Sequence, residues 1–178
     1  MRRLWIGALA LAVLAWAMWQ WGAPRRATLP VVARADSLVT GLRAARLFFA
    51  SVRGDSLVIE SRDLAEAGTT HERVVALVEE LARGPRGAAV STLAPGTTVL
   101  HAYLDDRGLM TLDLSRAFVD GFHGGSLAED LGVGALVRTL GANLPEVKRV
   151  LLVCGGEPIE TLGGHLPLDQ PLDVQDWP

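Results

Sequence analysis

A single cysteine, Cys154, stands among the 178 residues, so no internal disulfide can form even in an oxidising compartment. Stability has to come from an apolar core. No cysteine closely follows the apolar run at the N-terminus either, so a lipid anchor of bacterial lipoprotein type has no attachment residue there. No Gly-Lys-Ser/Thr follows Gly124-Gly125 or Gly155-Gly156, which excludes a P-loop. The string G-x-S-x-G is missing, and the turn at Asp105-Asp106-Arg107-Gly108 lacks the alternating ligands and closing Glu of an EF-hand. Basic charge is also scarce. Beyond residue 26, thirteen Lys and Arg stand against twenty Asp and Glu, a net charge of −7. That balance opposes nonspecific nucleic-acid binding, which needs cations to displace counterions from phosphates. No motif implies a cofactor.

What is present begins with Arg2 and Arg3, followed by a run from Leu4 to Ala23 without a charge. At about 1.5 Å rise per residue such a helix reaches about 30 Å, one hydrocarbon core. Trp16, Trp19 and Trp21 cluster at its far end, where indole rings favour the bilayer interface. Residues 1–26 are therefore expected to be a transmembrane anchor or, with Ala15-Trp16-Ala17 as cleavage site, a signal peptide. Either way the remainder is expected outside the cytoplasmic membrane: a single-pass tether if the segment is retained, secretion if it is cut. Residues 27–42, with Pro30 and no sustained period, read as a linker. Residues 43–178 fit one domain of ordinary size, about 100 to 150 residues.

Within that domain Leu47 to Ala50 and Leu57 to Ile59 are short apolar runs separated by Arg53-Gly54-Asp55, a hairpin pattern. Thr69 and Glu72 have capping-box spacing ahead of an apolar helical face of Val74, Leu77, Val78 and Leu81, and Gly84-Pro85 should end that helix. A second hairpin is expected around Asp105 to Gly108. Ser126 and Glu129 repeat the capping-box spacing before Leu127, Leu131, Leu136, Val137, Leu140 and Leu144. Gly132, Gly134 and Gly141 weaken this helix and are expected to serve close approach to a sheet. The order β-β-α-β-β-α-β-(β) predicts an α+β fold with a mixed, mainly antiparallel sheet and two helices on one face.

The candidate chemistry is thin. Ser126 could be a nucleophile only with an oriented base such as His101, His123 or His165 beside it, and it is more simply a helix cap. His101, Asp105, Asp106 and Asp113 are ordinary metal ligands without distinctive spacing. Pro95-Gly96 suits a turn, Asp113-Leu114-Ser115 places Leu114 inward with polar neighbours free to cap the next turn, and Cys154 reads as a small buried hydrophobe. No catalytic or metal-binding residue is assigned. Gly163-Gly164-His165 is an expected exposed turn and the one speculative binding element.

The segments Leu47-Phe48-Phe49, Ile59-Glu60-Ser61-Arg62, Leu81-Ala82-Arg83-Gly84-Pro85, Leu93-Ala94-Pro95-Gly96-Thr97, Asp113-Leu114-Ser115, Gly125-Ser126 with Glu129, and Val147 to Val153 follow one another in an order and spacing that resemble the GerMN family, the sporulation and spore-germination GerM domain. Two departures stand out: Val153-Cys154-Gly155-Gly156 replaces the family's usual Val-Asp-Gly, and one copy of the domain is present. The resemblance implies a secreted or tethered domain with an envelope assembly role and no catalytic residues to carry over. The expected function is thus a non-catalytic, membrane-tethered extracytoplasmic module whose partner is an envelope protein. Alternatives are a module binding cell-wall glycan or peptide and, third, a small envelope hydrolase.

Overall fold

The structure, a computed structural model, describes residues 41–177. The expected anchor or signal segment and nearly all of the expected linker lie outside the described residues. Among the described residues no helix is long and apolar enough to cross a membrane.

The chain opens with a long hairpin, β1 (Leu42–Ser51) and β2 (Leu57–Ala65), in antiparallel register with Phe48 opposite Ile59. Gly54 adopts a φ of 67° in the connection, a conformation that glycine reaches without steric cost. Helix α1 (Thr70–Ala82) follows, and its N-terminus carries the expected capping box: the Thr69 hydroxyl accepts the Glu72 N–H at 3.2 Å and the Glu72 carboxylate accepts the Thr69 N–H at 3.0 Å. Gly84, at a φ of 83°, turns the chain away at the other end.

A two-residue strand, β3 (Ala89–Val90), returns to pair with β1. Strands β4 (Val99–Leu104) and β5 (Leu109–Leu114) form the second hairpin, in which Asp105 accepts the N–H groups of Arg107 and Leu109. After a short helix α2 (Ala117–Asp120), helix α3 (Ser126–Asn143) leads to β6 (Arg149–Cys154), which lies parallel to β5. Short strands β7 (Glu157–Pro158) and β8 (Leu172–Asp173) both pair with β6. Gly155 and Gly156, with φ of 62° and 83°, make the β6–β7 turn, as a tight hairpin with two positive-φ residues requires.

The α+β class and the order of the main elements are those read from the sequence, with the short β3, α2 and β8 added. The strands, however, divide into two sheets, β2-β1-β3 and β4-β5-β6 with its short flanking strands. Helix α1 contacts β1 and β4, one strand from each sheet. Leu47 and Phe49, Val78 and Leu81, Leu112 and Leu114, Leu136 and Leu140, and Leu152 are at most 1% exposed and form one shared core.

Helix α3 runs along the edge of β1. The Asn143 carboxamide accepts the Arg46 N–H at 2.9 Å and donates to the Arg46 carbonyl at 2.8 Å, and the Thr139 hydroxyl accepts the Phe48 N–H at 3.1 Å. These side chains satisfy backbone groups that would otherwise invite another strand. At Ala50 and Ser51 the partner changes from α3 to β3.

The helix glycines do serve close approach, but to the C-terminal segment and a loop. A Cβ on Gly134 would lie 2.6 Å from the Trp177 ring, one on Gly141 would run into the Val174 side chain, and one on Gly132 would lie 3.1 Å from the Thr92 carbonyl oxygen. Arg138 secures the same C-terminal segment by donating to the Trp177 carbonyl, while its guanidinium sits 5.0 Å from the centre of the Phe48 ring.

Candidate functional site

Where β1 exchanges α3 for β3, a groove of about 710 Å³ opens between the first half of α3 and residues 90–95. Its lining is mostly apolar and contains Leu93, Pro95, Phe118, Phe122, Leu131 and Leu162. Among the described residues no Asp, Glu, Lys or Arg lines it, and His123 is its one histidine. Two further lining residues, Leu127 and Val90, are 54% and 48% exposed. The Thr92 hydroxyl, in the same wall, is buried without a hydrogen-bond partner among the described residues. Helical periodicity places Leu127 on the apolar face of α3, but it lines the groove and stays exposed, and the buried large apolar side chains of the helix are Val133, Leu136, Val137 and Leu140.

The second expected capping box does not form. Gly125 is the N-cap and Ser126 the first helical residue, with no side-chain cap. Glu129 faces inward, is 0% exposed, and spends its carboxylate on a distant loop: Oε1 accepts the N–H groups of Leu162 at 2.8 Å and Gly163 at 2.9 Å, and Oε2 accepts that of His165 at 3.0 Å. Desolvation pushes its pKa up, but the donated N–H groups of Gly163, Leu162, His165 and Leu166 outweigh it, leaving the carboxyl below its ordinary value. Gly163-Gly164-His165 is therefore an exposed turn whose backbone is held from below. All three of its amides are already committed, those of Gly163 and His165 to Glu129 and that of Gly164 to the Thr161 hydroxyl, and Leu162 beside them lines the groove.

The other candidates are dispersed. No hydrogen bond joins Ser126 to a histidine or a carboxylate among the described residues; His101 instead lies 3.4 Å from Asp113 on the second sheet. Nor do the described residues contain a group of three or more His, Cys, Asp or Glu arranged to hold a metal. Asp113 does not cap the next turn: its Oδ1 accepts the Gly156 N–H at 3.1 Å, tying β5 to the β6–β7 turn. Ser115 does not cap it either: its hydroxyl accepts the Thr98 N–H at 3.0 Å across the hairpin, and α2 begins without a side-chain cap. Gly96 has a φ of 82° in the Pro95-Gly96 turn, and the Thr97 hydroxyl donates back to the Ala94 carbonyl at 2.8 Å. Cys154 is buried, and desolvation raises its pKa.

Two of the segments that carried the resemblance meet at Arg62. Its guanidinium, 1% exposed, donates to Glu80 at 2.9 Å, to the Glu80 carbonyl at 3.0 Å and to the Gly84 carbonyl at 2.7 Å, and it pairs with Glu60 at 2.7 Å. Glu60 in turn accepts the Arg86 and Gly87 N–H groups. Burial raises the Glu60 pKa, but Arg62 and these amides lower it further than burial raises it.

The described residues form a small two-sheet α+β domain with an uncharged groove on its surface. The Germane family, described as Sporulation and spore germination, matches residues 46–160, and the chain belongs to it. Three solved structures share the fold. The tandem GerMN domains of the sporulation protein GerM from Bacillus subtilis superpose with a TM-score of 0.60 at 18% identity, over 76% of this chain and 48% of that one, so this chain spans about half of the tandem. The first GerMN domain of the same protein gives 0.58 at 17% identity, over 75% and 99%. A protein described as a lipoprotein from Clostridium perfringens gives 0.54 at 17% identity, over 76% and 90%. No curated protein matches by sequence.

Proposed function

We propose that this domain is a non-catalytic interaction module of the bacterial envelope and that the groove beside α3 is its contact surface. The observation that carries the reading is the pairing of an uncharged, mostly apolar groove with exposed Leu127 and Val90 in a strongly acidic domain. A contact surface of that kind suits a protein segment that inserts apolar side chains, since apolar burial drives most association. Among the described residues no base is hydrogen-bonded to Ser126, and Cys154 is buried with its pKa raised, so neither supports nucleophilic chemistry.

The charge-free run from Leu4 to Ala23 supports an extracytoplasmic position, tethered if the run is retained. Similarity to a protein described as a lipoprotein agrees with that placement. Here the tether would be the apolar segment itself, because no cysteine lies close behind it. Family membership connects the module with sporulation and germination proteins.

The test is co-purification from solubilised membranes, comparing the natural chain with Leu127→Glu. An envelope protein recovered with the former and lost with the latter supports the reading. A chain that sediments with purified peptidoglycan, equally well with and without Leu127→Glu, would replace the protein partner with a wall polymer bound elsewhere.

A further inference from the structure

We propose that residues 160–168 form a lid at the groove, latched shut by the side chain of Glu129. The inference rests on the groove being the contact surface and adds a device that controls access to it. The segment is closed at its base by the Leu168 N–H donating to the Glu160 carbonyl at 2.8 Å, with Ile159 and Leu168 buried on either side. This makes it a compact loop whose ends are fixed and whose middle can move.

Between those ends, every hydrogen bond from residues 161–167 to the rest of the described fold goes to one carboxylate, through the amides of Leu162, Gly163 and His165. The Gly164 N–H bonds locally to the Thr161 hydroxyl. Backbone amides aimed at a single buried anion are charge-assisted donors, so the loop's attachment is concentrated at one point.

That point lies under the groove wall. Leu162 and Phe122 both line the groove, and Gly163 is packed so closely that a Cβ there would lie 3.0 Å from the Phe122 ring. Seating the amides on Glu129 therefore sets Leu162 against the groove, and releasing them withdraws it. Glutamine would keep the shape of Glu129 but remove the charge and turn one acceptor oxygen into an NH2 facing an N–H donor. Gly164, at a φ of 87° with open space around its Cβ position, is the place where the closed loop can be strained without touching the core.

The experiment is amide hydrogen exchange on the full chain without any partner, so that failure of the lid is separable from failure of the groove as a contact surface. In Glu129→Gln the amides of Leu162, Gly163 and His165 should exchange at least about tenfold faster, while those of α1 and β5 keep their relative protection. Gly164→Ala should accelerate the same amides with Glu129 intact. A groove thiol introduced as Leu131→Cys should label faster in the Glu129→Gln background by a similar factor. Unchanged loop exchange in both variants, loss of protection only together with α1 and β5, or unchanged thiol labelling would overturn the proposal.

Discussion

The Arg62 guanidinium and the Glu80 carboxylate meet at 2.9 Å with the arginine side chain 1% exposed, joining β2 to the last turn of α1. Glu80 is also held by Arg83 and, at 3.5 Å, by Arg86. Removing one member of a buried ion pair usually costs about 3 to 5 kcal/mol, because the remaining charge is left uncompensated. Glu80 keeps two arginines, so Arg62→Ala should cost about 3 kcal/mol, at the lower end of that range. Arg62→Lys should recover little, since an ammonium cannot reproduce the fork that reaches two carbonyls and two carboxylates. Urea denaturation midpoints of the two variants measure both statements.

The two capping-box spacings should respond differently to the same substitution. Thr69→Ala removes an observed cap and should cost about 1 kcal/mol. Ser126→Ala removes no cap and should stay within about 0.5 kcal/mol of the natural chain. Equal losses at the two sites would contradict the placement of the α3 N-terminus.

That contrast also marks how far the sequence could be read. Thr69 and Glu72 were legible because both halves of the interaction lie within one turn of helix. Ser126 and Glu129 have the same spacing, but Glu129 finds its partners 33 to 36 residues later, and nothing local signals that. The clamp at Arg62 appeared in the sequence only as two family-like segments, one ending at Arg62 and one at Gly84-Pro85. The glycines of α3 signalled close packing without naming Trp177 or Val174 as the neighbours. The groove was hidden because Leu127 satisfies the helical period, yet in the fold it lines the groove and is 54% exposed.

Packing at the α3 glycines should be sensitive to one methyl group. Gly134→Ala places a carbon against the Trp177 ring, and overpacking of this kind costs about 1 to 3 kcal/mol. The indole N–H resonance of Trp177 should shift, with the largest exchange increase at residues 172–177. A stability gain, as expected for Gly→Ala in an open helix, would contradict the packing described for the C-terminal segment.

Acid should weaken the fold through Glu129 more than through exposed carboxylates. Its folded pKa lies below the ordinary value, so it contributes stability that is fully present above that value and lost as pH falls through the lowered one. No Lys, Arg or His side chain pairs with it among the described residues, so backbone amides carry the effect. Stability should be flat near neutrality and decline as pH falls below 4.5, the ordinary glutamate value. Glu129→Gln should start from a lower plateau and decline less steeply, as read from denaturation midpoints between neutral and acidic pH.

The most direct test of the central claim is site-specific photocrosslinking in intact cells from position 127, on the groove rim, against position 103, where Tyr103 is 68% exposed on the second sheet. A discrete adduct with an envelope protein from position 127 and none from position 103 is the predicted result. Adducts from position 103 alone, or the same diffuse pattern from both positions, would contradict the groove as the contact surface.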